Sequence, residues 1–68
     1  MKKEDAIMVG DIYHHVKYKW RVRVLFIGKD RAFCFKYGED IEGSWEKSLL
    51  VDRDEFQIEP RDTIPENV

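Results

Sequence analysis

Hydrophobic and polar positions alternate most regularly at residues 20–27, where Trp20, Val22, Val24 and Phe26 interleave with Arg21, Arg23, Leu25 and Ile27. A two-residue period over eight positions predicts a strand. Gly28-Lys29-Asp30-Arg31 interrupts it, and at residues 32–37 Phe33, Phe35 and Tyr37 alternate with Ala32, Cys34 and Lys36. The two runs predict a hairpin whose connection is four residues long, because Lys-Asp is a poor pair for a two-residue type I′ turn. That register sets Phe26 opposite Phe33, Val24 opposite Phe35 and Val22 opposite Tyr37, one apolar face turned to the core. The other face then carries Arg21 and Arg23 near Lys36 at one end, and Leu25 and Ile27 near Cys34 and Ala32 at the other. A half-cationic, half-apolar face of this kind predicts a bent strand that passes from one sheet to another.

Around this hairpin the signals are shorter. Val9-Gly10-Asp11 is a turn followed by a strand at Ile12-Tyr13-His14, and Gly38 to Gly43 is a glycine-bounded acidic loop. Residues 44–47 around Trp45 read as a third sheet strand. Trp45 falls near Lys36 if the preceding loop has four residues and opposite Phe35 if it has five, and the pattern leaves that choice open. Residues 48–54 suit a single helical turn that tucks Leu49 and Leu50 inward, and Phe56 and Ile58 form a last strand ended by Pro60. The expected organisation is a flexible segment at residues 1–8, one domain at residues 9–59 and a disordered tail at residues 60–68. Five short strands with one short helical turn before the last predict an all-β, five-stranded SH3-like barrel with a flexible C-terminal tail.

Charge and cysteine content narrow the setting. The chain has 68 residues and a net charge of −2, but nine Lys/Arg against four Asp/Glu precede Gly38 and three against ten follow Tyr37. A two-signed surface is expected rather than a uniformly basic one. A single cysteine excludes an intramolecular disulfide and suits a reducing, cytoplasmic setting. The N-terminal residues do not build the apolar run of a signal peptide, and no later run is long enough to span a membrane. A monomer or weak dimer is expected.

Gly10-Asp11-Ile12-Tyr13, the paired runs at residues 20–26 and 33–37, Gly43-Ser44-Trp45, Leu49-Leu50 and Phe56 together resemble small bacterial and prophage-encoded SH3-like proteins. The likeness covers residues 9–59 and implies a phage or prophage accessory or regulatory factor. The Ala-Leu-Tyr-Asp-Tyr stretch of eukaryotic peptide-binding SH3 domains is missing, so the resemblance does not imply binding to proline-rich ligands.

Candidate chemistry is sparse. No glycine-rich phosphate loop and no nucleophile with a base at a recognisable spacing is present, so neither an enzyme nor a cofactor is expected. His14 and His15 point to opposite sides of a strand and cannot both reach one metal ion without a bend. Cys34, among Phe33, Phe35, Leu25 and Ile27, reads as a buried apolar filler. Tyr13, His14, His15, Lys17, Tyr18, Lys19, Trp20, Arg21 and Arg23 interleave basic and aromatic types, which single-stranded nucleic acid sites combine for phosphate neutralisation and base stacking. The acidic second half of the chain would repel a polyanion. The preferred reading is therefore a non-enzymatic protein-binding module contacting its partner through Tyr18, Lys19, Arg21, Arg23, Lys36, Glu39, Asp40 and Glu42. The alternative is a nucleic-acid-binding barrel using Tyr13, Lys17, Tyr18, Lys19, Arg21 and Arg23.

Overall fold

Alternation in the chain is realised as one antiparallel sheet in the computed structural model, which describes residues 3–60. Its strands are β1 (Ile12–His15), β2 (Arg21–Ile27), β3 (Arg31–Lys36), β4 (Ile41–Glu46) and β5 (Phe56–Ile58). They lie side by side in the order β4-β3-β2-β1-β5, so β1 to β4 form a meander and β5 returns to the far side of β1. The sheet is not closed, and β4 and β5 are its two edges. A short helix α1 (Lys47–Val51) follows β4 directly, and a 3₁₀ turn spans Lys3–Ala6. Residues 61–68 of the expected tail lie outside the described residues.

The hairpin forms where the alternation predicts it, but its faces are not the expected ones. Phe26 pairs with Phe33 and Ile27 with Ala32, and the Gly28 N–H donates to the Arg31 carbonyl at 2.8 Å, so the tip is Lys29-Asp30 and not the expected four-residue connection. Beyond Leu25 the register shifts by one: Val24 pairs with Cys34, Arg23 with Phe35 and Val22 with Lys36. The expected Val24–Phe35 and Val22–Tyr37 pairs do not form. Leu25 is an extra residue, a β-bulge in β2 that leaves two residues opposing one and lets the side-chain alternation change phase within a single strand. Val22 and Val24 therefore face inward on one side of the bulge, and Phe26 faces outward on the other.

This phase change decides which apolar residues make the core. Ile7, Tyr13, Val22, Val24, Ala32, Cys34, Leu50 and Phe56 are buried, with Trp20, Ile27, Trp45, Leu49 and Val51 packed around them. The small side chains of Ala32 and Cys34, both 0 % exposed, leave room on the inner face of β3 for Leu50 and the neighbouring rings. Phe33 and Phe35, expected inside, are carried to the opposite face. Lys36 moves the other way, because its partner is Val22. Trp45 pairs with neither expected residue but with Ala32, because β4 begins at Ile41 and the second half of the supposed acidic loop is strand. Its ring lies on the core side.

Connections complete the enclosure. Gly38 (φ 95°) and Asp40 (φ 56°) take left-handed conformations that turn the chain from β3 into β4, with the Asp40 N–H donating to the Lys36 carbonyl at 3.0 Å. Helix α1 has no side-chain cap, and its Leu50 is 1 % exposed. Within the segment expected to be flexible, Lys3–Ala6 forms its 3₁₀ turn and Ile7 is 5 % exposed in the core. Of the last strand's two apolar residues, Phe56 is buried and Ile58 is 43 % exposed.

Candidate functional site

The outer face of the sheet can be read row by row from the register. One row runs Ile12, Arg23, Phe35 and Glu42 across β1, β2, β3 and β4. The next holds Phe26, Phe33 and Ser44, and beyond it Arg31 pairs with Glu46. At the other end lie Gln57, His14 and Arg21, with Tyr37 joined to Arg21 through its N–H. Phe26 is 65 % exposed, and Leu25 and Phe33 are each about two-fifths exposed. Scattered exposed apolar residues are ordinary, but two exposed phenylalanines paired across strands, with exposed Leu25 next to one of them in the chain, concentrate apolar surface at one place on the face. Phe35 meets Tyr37 edge-on at 5.2 Å between centroids, extending the aromatic strip along β3.

Most charges around this strip are held by neighbours of opposite sign. Glu59 accepts from Arg21 Nε at 2.9 Å and from its Nη2 at 3.2 Å, a bidentate pair that fixes the guanidinium beside the Tyr37 ring. His14 Nδ1 lies 3.7 Å from the same carboxylate. Arg31 donates to Ser44 Oγ and to the Ser44 carbonyl, and its Nη1 is 3.8 Å from Glu46, so it occupies a backbone acceptor of the edge strand β4. Arg23 and Glu42 form no ion pair among the described residues, although they share one row with Phe35 between them.

A second cluster lies at the β1–β2 turn. The His15 ring stacks on Tyr18 at 5.0 Å and on Trp20 at 5.2 Å, and its Nδ1 accepts the backbone N–H groups of Lys17 and Tyr18. Lys17 lies over Tyr18, while Lys36 lies 4.2 Å from the Trp20 ring centre and 3.4 Å from Glu39. Lys19 takes a left-handed conformation (φ 70°) that closes the turn. A shallow cleft beside Tyr18 is lined by Val16, Asp54 and Glu55 as well.

The structure thus divides the residues expected to form one contact surface. Arg21, Arg23 and Glu42 are on the outer face. Lys36 is on the core side, and the expected basic strip of Arg21, Arg23 and Lys36 is broken because the bulge reverses Lys36. Tyr18 and Lys19 belong to the β1–β2 turn, and Glu39 and Asp40 to the β3–β4 turn. Of the alternative set, Tyr13 is 3 % exposed and offers no ring surface to a base, because the outer positions of β1 are Ile12 and His14. Cys34 is fully buried, its S–H directed at the Ala32 carbonyl, and burial pushes the thiol up to about 11.

Phe26, Phe33 and Phe35 are the surface residues that the alternation assigned to the interior. The signal that separates them from the core is the small size of Ala32 and Cys34, which suits a crowded interior shared with Leu50 and the rings of Tyr13 and Phe56. Among the described residues no cluster of three His, Cys, Asp or Glu side chains is placed to hold a metal ion, and no helix is long and apolar enough to cross a membrane. Comparison of the chain with protein-family models, with curated proteins and with solved structures returns no match, so the functional reading rests on this geometry.

Proposed function

We propose that this chain is a non-enzymatic protein-binding module of SH3-like type whose contact surface is the outer face of the sheet. The meander, the β1–β5 pairing and the helical turn between β4 and β5 support the SH3-like reading. The observation that carries the function is the cross-strand pair of Phe26 and Phe33, both exposed, with Arg23 and Glu42 in the row on one side of them and Arg31 and Glu46 in the row on the other. An apolar centre with a two-signed rim is the anatomy of a protein–protein contact. A polyanion is a poorer fit, since Arg21, Arg31 and Lys36 each face a carboxylate and Glu42 projects from the same surface.

One observation favours a second reading, single-stranded nucleic acid. The Tyr18–His15–Trp20 stack flanked by Lys17 and Lys36 combines cations with rings, and Tyr18 is 64 % exposed. Two binding experiments separate the readings. Capture of a protein from nuclease-treated extract should be lost in the Phe26→Ser/Phe33→Ser variant and kept in Tyr18→Ala. Fluorescence anisotropy with labelled poly-dT and poly-U should give no affinity tighter than the roughly 100 µM of non-specific contact at physiological salt. Micromolar, steeply salt-dependent binding that Tyr18→Ala abolishes would replace the first reading with the second.

A further inference from the structure

Arg23 and Glu42 stand at the two sides of one row of the outer face, with Phe35 between them. Strands are spaced by about 4.8 Å, so the two Cα positions are separated by about 10 Å across the row. Both groups are exposed, and neither forms an ion pair among the described residues, whereas Arg21 and Arg31 on the same face each have a carboxylate within 4.0 Å. This placement is self-complementary. Rotation by 180° about an axis lying in the plane of contact and parallel to β3 exchanges the two sides of the row. Arg23 of one copy is then set against Glu42 of the other, Glu42 against Arg23, and Phe35 against Phe35. In the adjacent row the same rotation brings Phe33 onto Phe33 and Phe26 over the small Ser44, and in the row beyond it Arg31 comes to face Arg31, each with Glu46 of its own copy 3.8 Å away to offset the like charge. An axis perpendicular to the strands would instead oppose Arg23 to Arg23.

We infer that the outer face closes on the outer face of a second copy of this chain, with reciprocal Arg23–Glu42 pairs on either side of a phenylalanine seam. The inference rests on reading this face as a protein-contact surface and names its occupant. Such an isologous contact satisfies both charges at once, as two-fold symmetry requires of any pair it contains. Edge-to-edge pairing through β4 is a weaker alternative, because Arg31 already occupies the Ser44 carbonyl and Glu42 and Glu46 would line the joined edges. The face is small, on the order of 400 Å² per copy for four short strands. The total of about 800 Å² falls short of the roughly 1,000 Å² that stable specific interfaces bury, so the contact is a weak, transient one and the dimer should dissociate at roughly 100 µM.

The test is sedimentation equilibrium of the full chain between about 10 µM and 1 mM, a range that brackets the expected dissociation constant. Wild type should pass from monomer to dimer across that range. Arg23→Glu and Glu42→Arg should each weaken association about tenfold, since each replaces two attractive pairs with two repulsive ones. The double variant Arg23→Glu/Glu42→Arg should return to within about threefold of wild type, because the pairs are restored with signs reversed. Recovery in the double variant also shows that the single variants fold. Wild type that stays monomeric at about 1 mM, or losses that add in the double variant, would overturn the dimer. In that event, capture of another protein that still depends on Phe26 and Phe33 leaves the contact-surface reading standing, and capture indifferent to them removes that reading too.

Discussion

Replacing Leu50 with alanine is expected to cost about 2–5 kcal/mol of stability, enough to leave much of the chain unfolded at room temperature. Leu50 is 1 % exposed and among the largest side chains wholly removed from solvent. It enters from a five-residue helix with no side-chain cap, far below the length at which a helix persists by itself in water. Helix α1 is therefore held by what Leu50 touches, and losing that contact loosens the helix and the inner sheet face together. Urea denaturation followed by tryptophan fluorescence provides the check, since Trp20 and Trp45 both pack against this core. A midpoint equal to that of the wild type would mean that α1 contributes little to the core.

Two deletions in the same strand should have opposite outcomes. Removing Arg23 from the middle of β2 forces either the Val24 side or the Val22 side of the strand to change faces, and its pairings with Ile12 and Phe35 slip together. A single-residue slip turns a buried set toward solvent, so this variant should not fold. Removing Leu25 deletes the residue that has no partner. Val24 can then keep Cys34, Phe26 can keep Phe33, and inward and outward positions still alternate through Val24, Phe26 and Ile27. The cost should be confined to the lost bend, about 1–2 kcal/mol, within the ordinary range for a single change. Circular dichroism and thermal melting of the two deletions distinguish these cases. A Leu25 deletion as damaging as the Arg23 deletion would remove the bulge from the account.

The number of strands and the approximate limits of β1, β2, β3 and β5 were legible in the sequence, because they depend on alternation and turn residues alone, whereas the first half of β4 was hidden in Ile41-Glu42-Gly43, which reads as loop. Trp20 to Ile27 and Ala32 to Tyr37 alternate whichever side faces inward, and Gly28 to Arg31 breaks them in either case. The faces were not legible, because both sides of β3 are apolar: Phe33 and Phe35 on one, Ala32 and Cys34 on the other. Hydrophobicity alone favours burying the larger pair, whereas a core already filled by Tyr13, Leu50, Phe56 and the tryptophan rings has room only for the smaller one. Leu25 added to the ambiguity, since a bulge leaves no mark in an unbroken apolar run. The same effect explains the site. Arg21, Arg23 and Glu42 could be chosen as exposed charges from alternation, but their aromatic neighbours depend on the phase change. Lys36, counted with the arginines, sits over Trp20 instead.

Everything proposed for the outer face depends on β3 turning Cys34 inward and Phe33 outward. Thiol labelling measures this directly, because Cys34 is the chain's only cysteine. With Ellman's reagent under native conditions near neutral pH, wild-type Cys34 should stay unmodified on the timescale on which a free thiol reacts. It is fully buried, and its thiol is pushed up to about 11, so both access and thiolate are scarce. In the Phe33→Cys/Cys34→Ala variant the thiol moves one position along the strand and should react at nearly the rate of an unfolded peptide. Protection at position 33 together with rapid labelling of Cys34 would reverse the two faces of the sheet and contradict the account.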